Sequence, residues 1–366
     1  MPVRTVHLIA AARPNFMKMA PLWHALGASA DYAPVLVHTG QHYDANMSAD
    51  FLRDLGLPDP GHHLGVGSGS HAEQTGRVMI AYGEVAEAHR PDWLIVAGDV
   101  NSTVACALVG TKLGIRSVHL EAGLRSRDRR MPEELNRLAT DVLCDVLWTP
   151  SPDADRNLLA EGIPADRITR VGNIMLDSFE MSRPAIEAAK APEGMGLTRG
   201  GYAVVTLHRP SNVDEPEQLR RLVNALSAVQ ARLPVVFPVH PRTAARLAAA
   251  KLDEALVSAG VRLVEPLPYI RFMSLMTGAG AVITDSGGLQ EETTYLGIPC
   301  FTLRENTERP VTVEQGTNRL ATPESLPGLV EAALSGVAVG APRPEFWDGR
   351  TAGRCVADLG KRDGGG

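Results

Sequence analysis

A chain of 366 residues with a formal net charge of −6, 44% hydrophobic, 21% charged and 5% aromatic residues is too long for one small module and matches a soluble protein of about two domains. No apolar run approaches the roughly 20 residues of a membrane span, and a mildly acidic balance without a basic block makes nucleic acid a poor partner. The start MPVRTVHLIAA enters a strand pattern without a signal-peptide cleavage site, so a cytoplasmic protein is expected, and the dispersed Cys106, Cys144, Cys300 and Cys355 read as core thiols rather than disulfides or zinc ligands.

In chain order, short β-branched runs alternate with helical patterns: TVHLIAA, VLVHTG, WLIVAGD, SVHLEAG and VLWTP, then AVVTLH, VVFPVH, VRLVEP, AVITD and PCFTL. Such alternation predicts parallel sheets covered by helices on both faces. The expected fold class is α/β, with two Rossmann-like, doubly wound domains and a cleft between them. The boundaries fall at 1–170 and 171–345, with a helix at about 346–362 packing back on the first domain. The segment VGNIMLDSFEMSR carries the crossing, and the Pro/Gly-rich Lys190–Gly201 stretch reads as a linker or domain-edge loop. Open α/β sheets bind ligands beyond the carboxyl ends of their strands, so residues at those ends are the candidates for chemistry.

The first strand leads into Arg13, Pro14 and Lys18, two cations at the positive end of a helix. Either a bound anion relieves that conflict or both side chains are simply solvated. Two later strands end in acids, Asp99 and Glu121. Asn101 and Ser102 are the better placed helix caps, which frees Asp99. Glu133 and Glu134 open a helix whose expected apolar face is Leu135, Leu138, Ala139 and Val142; one of the two acids serves the helix dipole at the surface. Three acids converging on one cleft would mean acid/base work or stabilisation of a cation.

In the second half, His208 ends AVVTLH before Arg209, and His240 ends VVFPVH. His42 in TGQHYD holds the matching place in the first half. In AVITDSGGLQEE, Ser286, Gly287 and Gly288 precede a helix expected from near Leu289. Paired glycines there let backbone amides approach a phosphate, although a plain tight turn has the same sequence. Glu291 and Glu292 either complement the dipole or accept from ribose hydroxyls, Asp285 is structural, and Arg309 in TERP lies at the same edge. The 31 Arg against 5 Lys admit two readings, codon usage or forks on phosphate and carboxylate groups. His62, His63 and His71 lack ligand spacing, so no metal is expected. GVGSGSHAEQTG follows no strand, so a tightly held dinucleotide is disfavoured.

These residues together resemble the non-hydrolysing UDP-N-acetylglucosamine 2-epimerase family. The resemblance rests on RPNFMKMAPL (13–22), TGQHYD (39–44), GDVNST (98–103), HLEAGLRSRDRRMPEELNR (119–137), GN (172–173), LHR (207–209), PVHP (238–241), DSGGLQEE (285–292) and NTERP (306–310). It implies a GT-B architecture and a UDP-sugar substrate held by Ser286, Gly287, Gly288, Glu292 and Arg309. Arg13 and Lys18 would reach the diphosphate, and Phe272 would lie near the uracil. It implies Asp99, Glu121, Glu133 and His208 as the catalytic group, no cofactor, and a homodimer. The implied reaction expels UDP to leave a 2-acetamidoglucal and adds it back with inversion at C2. Gln41, His42, Arg209 and His240 correspond to a second site for the nucleotide sugar. The chain departs from the family at Pro210 and Ser211 after the His-Arg pair, at Tyr43 and Asp44 after Gln41 and His42, and at Arg127 where an aromatic is usual. The competing readings are an epimerase of another UDP-sugar, such as a diacetamido-uronate, a hydrolysing epimerase, a GT-B glycosyltransferase and a UDP-sugar sensor.

Overall fold

Val6, His7, Leu8, Ile9 and Ala10 are all buried, which is why TVHLIAA reads as a continuous run instead of an alternating one: a parallel strand covered on both faces has no polar side. The computed structural model describes residues 2–40, 52–335 and 343–364. Gln41 and His42, named above for a second site, lie outside the described residues.

Seven parallel strands form the first sheet: β1 Arg4–Ala10, β2 Tyr32–His38, β3 His62–His63, β4 Trp93–Ala97, β5 Arg116–Leu120, β6 Val146–Thr149 and β7 Ile168–Arg170, in the order β3-β2-β1-β4-β5-β6-β7. The second sheet repeats the scheme with six: β8 Ala203–Thr206, β9 Val235–Pro238, β10 Arg262–Val264, β11 Ala281–Thr284, β12 Cys300–Thr302 and β13 Asn318–Leu320, in the order β10-β9-β8-β11-β12-β13. The order reverses between β1 and β4 and again between β8 and β11, and each reversal opens a crevice at the carboxyl ends. In register, Leu8 pairs Ile95 across the first reversal and Thr284 pairs Thr206 across the second. Val37, Tyr82, Leu94, Val96 and Leu147 belong to one apolar core in the first sheet's layers; Val205, Leu222, Leu226, Phe237 and Ile283 belong to another in the second's.

The strands absent from the sequence reading, β3, β7 and β13, are two or three residues long and lie at sheet edges. Such segments carry too little apolar pattern to stand out.

The chain divides into two compact units, Met1–Met181 with Glu345–Gly366, and Ser182–Pro344. The first crossing therefore lies inside the helix Ile174–Ala188, past the expected boundary at 170. The change of unit falls within VGNIMLDSFEMSR, the segment given the crossing above. The Lys190–Gly201 stretch is part of the second unit and is not a linker: Ala191 N donates to Ser274 Oγ at 3.1 Å, and Gly200 N donates to the Gly278 carbonyl at 2.8 Å. The last helix, Thr351–Gly364, belongs to the first unit. Asp177 accepts from the Thr351 and Ala352 amides at its start, Asp358 accepts from Trp148 Nε1 at 2.8 Å, and Asp363 receives the Tyr32 hydroxyl at 2.8 Å. All four cysteines are buried and free. Among the described residues, no helix is long and apolar enough to cross a membrane.

Candidate functional site

In the second unit the β8/β11 crevice is organised by Asp285. This fully buried carboxylate accepts from the amides of His208 (3.0 Å) and Arg209 (2.9 Å), from Asn212 Nδ2 (3.1 Å) and from His208 Nδ1 (2.9 Å). Burial alone would raise its pKa, but these contacts outweigh it and hold the group below the usual range. The structural reading of Asp285 agrees with this geometry. With Nδ1 turned to the Asp285 carboxylate, the His208 ring is oriented by that edge and its Nε2 is left outside the contact. Its side chain is 39% accessible and shares a pocket with Thr206, Leu207, Pro238, His240, Pro266, Leu267 and Phe272. The pocket thus unites His208, His240 and Phe272, which are far apart in sequence. The Arg209 Nε is buried without a hydrogen-bond partner among the described residues.

Beyond β11 the helix runs Gly287–Leu296, so it starts at the glycines and not near Leu289. Ser286 is its N-cap residue, yet its side chain makes no capping bond. A Cβ on Gly287 would fall 2.7 Å from Arg309 Nη1, so a larger residue would displace the guanidinium, whereas a Cβ on Gly288 would meet nothing. The opening amides of this helix form an open, positively polarised end. Arg309 pairs through Nε with Glu291 Oε1 at 2.9 Å and faces Glu308 at 3.5 Å. Glu292 is buried in the same helix, and desolvation with the neighbouring Glu291 charge pushes its pKa up to about 8. The Tyr269 hydroxyl, buried and without a hydrogen-bond partner among the described residues, interacts electrostatically with Glu292. The sequence reading passed over Tyr269; its place three residues before Phe272 in PYIRF was the available signal.

In the first unit the site residues gather at the ends of β1, β4 and β5. Asn15 accepts from the Ala12 amide and donates to the Ala97 carbonyl, both at 3.1 Å, which ties the start of the helix Arg13–Gly27 to the end of β4. Arg13 is exposed at the first helical position. Lys18 Nζ donates to Glu121 Oε2 in a mostly buried ion pair, so a carboxylate of the protein itself offsets the Lys18 charge at this helix end. Gly98, with φ of +69°, lies directly under Lys18: a Cβ there would sit 2.9 Å from Nζ.

Asn101 and Ser102 do not cap the next helix. Its N-cap residue is Val100, without a side-chain bond, while Asn101 is drawn to Gln74 and Asn136 and Ser102 to Thr39. Asp99 is engaged instead by the Arg137 guanidinium.

The helix Pro132–Leu143 reverses its expected faces. Its buried residues are Glu134, Arg137, Thr140 and Asp141, whereas Leu135 is 42% and Val142 67% exposed. The reason is local satisfaction of polar groups. Glu134 accepts from the Ser126 and Arg127 amides at 2.8 and 3.0 Å and pairs with Arg137, and Asp141 serves the loop after β5. Burial would raise Glu134, but the Ser126 and Arg127 bonds hold it low. The Glu133 side chain is exposed and makes no hydrogen bond or ion pair among the described residues. Of the two acids Glu134 is therefore structural, and Glu133 is the one left exposed. Arg137 and Asp141 escaped the sequence reading because a periodic apolar stripe pointed to the opposite face.

A family model described as UDP-N-acetylglucosamine 2-epimerase matches residues 24–360. Among curated proteins, the chain is 40% identical over 337 residues to a UDP-N-acetylglucosamine 2-epimerase of Methanococcus maripaludis, covering 90% of this chain and 91% of the relative. It is 39% identical over 316 residues to a UDP-2,3-diacetamido-2,3-dideoxy-D-glucuronate 2-epimerase of Pseudomonas aeruginosa, covering 85% and 86%. Among solved structures, that of Methanocaldococcus jannaschii UDP-GlcNAc 2-epimerase in complex with UDP-GlcNAc and UDP superposes with a TM-score of 0.84 at 38% identity, over 97% of this chain and 99% of that one.

Proposed function

The chain belongs to the UDP-N-acetylglucosamine 2-epimerase family, and on that premise we propose that it interconverts UDP-N-acetylglucosamine and UDP-N-acetylmannosamine by eliminating and re-adding UDP. The observation that carries this reading is the placement of Asp99 and Glu121 at the ends of neighbouring strands β4 and β5, each against a cation, Arg137 and Lys18.

The chemistry explains why carboxylates are needed. The hydrogen on C2 of the sugar has no adjacent carbonyl to absorb negative charge, so simple deprotonation is too costly. Breaking the C1–O bond to UDP as the C2 proton leaves forms a C1=C2 double bond and avoids the carbanion. Re-addition of UDP at C1 with a proton delivered to the other face of C2 completes the inversion. In this scheme Asp99 and the exposed Glu133 move the C2 proton, each such step contributing roughly 10²- to 10⁴-fold. Glu121 supports the cationic character at C1. UDP is held by Ser286, Gly287, Gly288 and Arg309 at the open helix end, with Glu292 on the ribose and Phe272 beside the uracil, and His208 stabilises it as leaving group. Arg13 completes the diphosphate's surroundings. Lys18 acts on the diphosphate from its place beside Glu121.

Two finer assignments accompany this reading. A homodimer accounts for Leu135, Ala139 and Val142 facing outward on a helix whose inner face is polar. A cytoplasmic setting suits four buried free thiols.

Incubation with UDP-N-acetylglucosamine in deuterated water, followed by NMR, tests the proposal. UDP-N-acetylmannosamine carrying deuterium at C2 is expected. Exchange only with a diacetamido-uronate substrate, the alternative raised by the Pseudomonas aeruginosa relative, would overturn the substrate and keep the mechanism. Free N-acetylmannosamine and UDP without recovered nucleotide sugar would replace epimerisation by hydrolysis. Sugar transfer only in the presence of an acceptor would replace it by glycosyl transfer.

A further inference from the structure

We propose that the buried pair His119–Asp141 is a positioning device that holds Asp99 and Glu121 in working register. This rests on the roles given to those two acids above. His119 lies on β5 and is fully buried, and its ring is held at both ends: Nδ1 stands 2.6 Å from Asp141 Oδ1, and Nε2 stands 2.8 Å from the Gly98 carbonyl oxygen. The Gly98 amide also donates to the Leu120 carbonyl at 3.1 Å. The residue immediately before Asp99 is thus clamped through both its amide and its carbonyl. Its φ of +69° makes it a pivot with no side chain of its own to brace it.

The second oxygen of Asp141 secures the other side. Oδ2 accepts from the Gly123 amide at 3.1 Å and pairs with Arg125 Nη2 at 2.7 Å. Between His119 and Gly123 stands Glu121, a non-glycine residue at φ of +68°, in the left-handed region that residues with a side chain rarely adopt. A conformation of that kind persists only where its neighbours over-determine it. Here one carboxylate, itself 1% exposed, grips the residues on both flanks, and Ala122 N adds a bond to the Trp148 carbonyl at 3.1 Å. Asp141 comes from the same helix as Glu133 and Arg137. That single element therefore fixes the backbone beneath Asp99 and Glu121, engages the Asp99 carboxylate and presents Glu133.

The test compares wild-type enzyme with His119→Gln and Asp141→Asn in the deuterium-exchange assay, alongside UDP affinity and thermal unfolding. If the pair positions the acids, kcat for C2 exchange falls by about tenfold or more in each variant. KM stays within about threefold and the Kd for UDP alone within about twofold, because Ser286, Gly287, Gly288, Glu292, Arg309 and Phe272, which hold UDP in that reading, belong to the second unit. A purely structural role gives the opposite pattern: a lower Tm and a smaller active fraction, with wild-type kcat per folded molecule, and that result overturns the proposal. If His119→Gln folds poorly, Asp141→Asn, which keeps the shape and one acceptor oxygen, decides. Failure of both variants to fold also overturns it, since the pair would then belong to the core. No exchange by the wild-type enzyme overturns the functional reading and the positioning role together. Exchange by the wild type that is undiminished in the variants overturns the positioning role alone.

Discussion

Lys18 and Glu121, 103 residues apart in sequence, form an ion pair with side-chain exposures of only 14% and 8%. Removing one partner of a buried pair leaves an uncompensated charge, a loss of roughly 3–5 kcal/mol when burial is complete; the residual exposure here lowers the expectation to about 2–3 kcal/mol for Lys18→Met. Urea unfolding of that variant measures it. Glu121→Gln removes the counter-charge but keeps an oxygen that can accept from Lys18, so it is expected to cost less stability than Lys18→Met while losing C2 exchange by about 10²- to 10³-fold.

His7 makes the fold sensitive to acid. Burial, reinforced by the neighbouring His62 and His89, lowers its pKa to about 4 in the folded protein from an ordinary value near 6.5, and His38 is lowered to about 4 by burial and His63. A group with a depressed folded pKa binds its proton more readily in the unfolded chain. Its stabilising contribution is therefore complete above pH 6.5 and is lost as the pH falls towards 4. The expected loss is on the order of 2–3 kcal/mol per histidine across that window. Denaturant midpoints between pH 7.5 and 4.5 should follow this slope, and His7→Phe should flatten it. An unchanged slope in the variant would remove His7 as its source.

Glu292 has the opposite sign. Its folded pKa of about 8 stands well above the unfolded value near 4.5, so its stabilising contribution is complete below pH 4.5 and is lost progressively as the pH rises to about 8, where the folded carboxyl ionises too. Glu292→Gln should raise the Tm at pH 9, change it little at pH 4, and weaken UDP binding at every pH if the side chain serves the ribose. Equal shifts at pH 4 and pH 9 would show that desolvation of the charged form is not the cause.

Val142 and Leu135 lie on the apolar outer stripe of the helix Pro132–Leu143. Val142→Asp should convert the proposed homodimer to monomer in light scattering without lowering the monomer's Tm, because the residue is 67% exposed. A wild-type protein that already runs as a monomer contradicts the assignment.

The pattern of apolar runs was enough to identify two parallel α/β sheets, since a strand covered on both faces must be apolar throughout, and β1, β4, β8 and β11 all read that way. The same reading placed Asp99, Glu121, His208 and the Ser286–Gly288 turn at strand ends, because a site of this architecture is laid out along the chain as well as in space. Partnership was not legible. Lys18 bound to Glu121, Arg137 bound to Asp99, and Asp141 bracing the left-handed Glu121 are contacts across 103, 38 and 20 positions of sequence, and no local pattern encodes them. The helix Pro132–Leu143 shows the limit most clearly. Its periodicity is that of an ordinary amphipathic helix, but the cost of leaving strand-end amides and charges unsatisfied outweighs the gain from burying Leu135 and Val142, so the polar face turns inward. Apolar patterning along the chain was sufficient for the fold class and for the residue types that stand at the strand ends. Which of them are held, which stay exposed and which way that helix points came from the folded contacts, because those outcomes depend on satisfying buried polar groups within each unit.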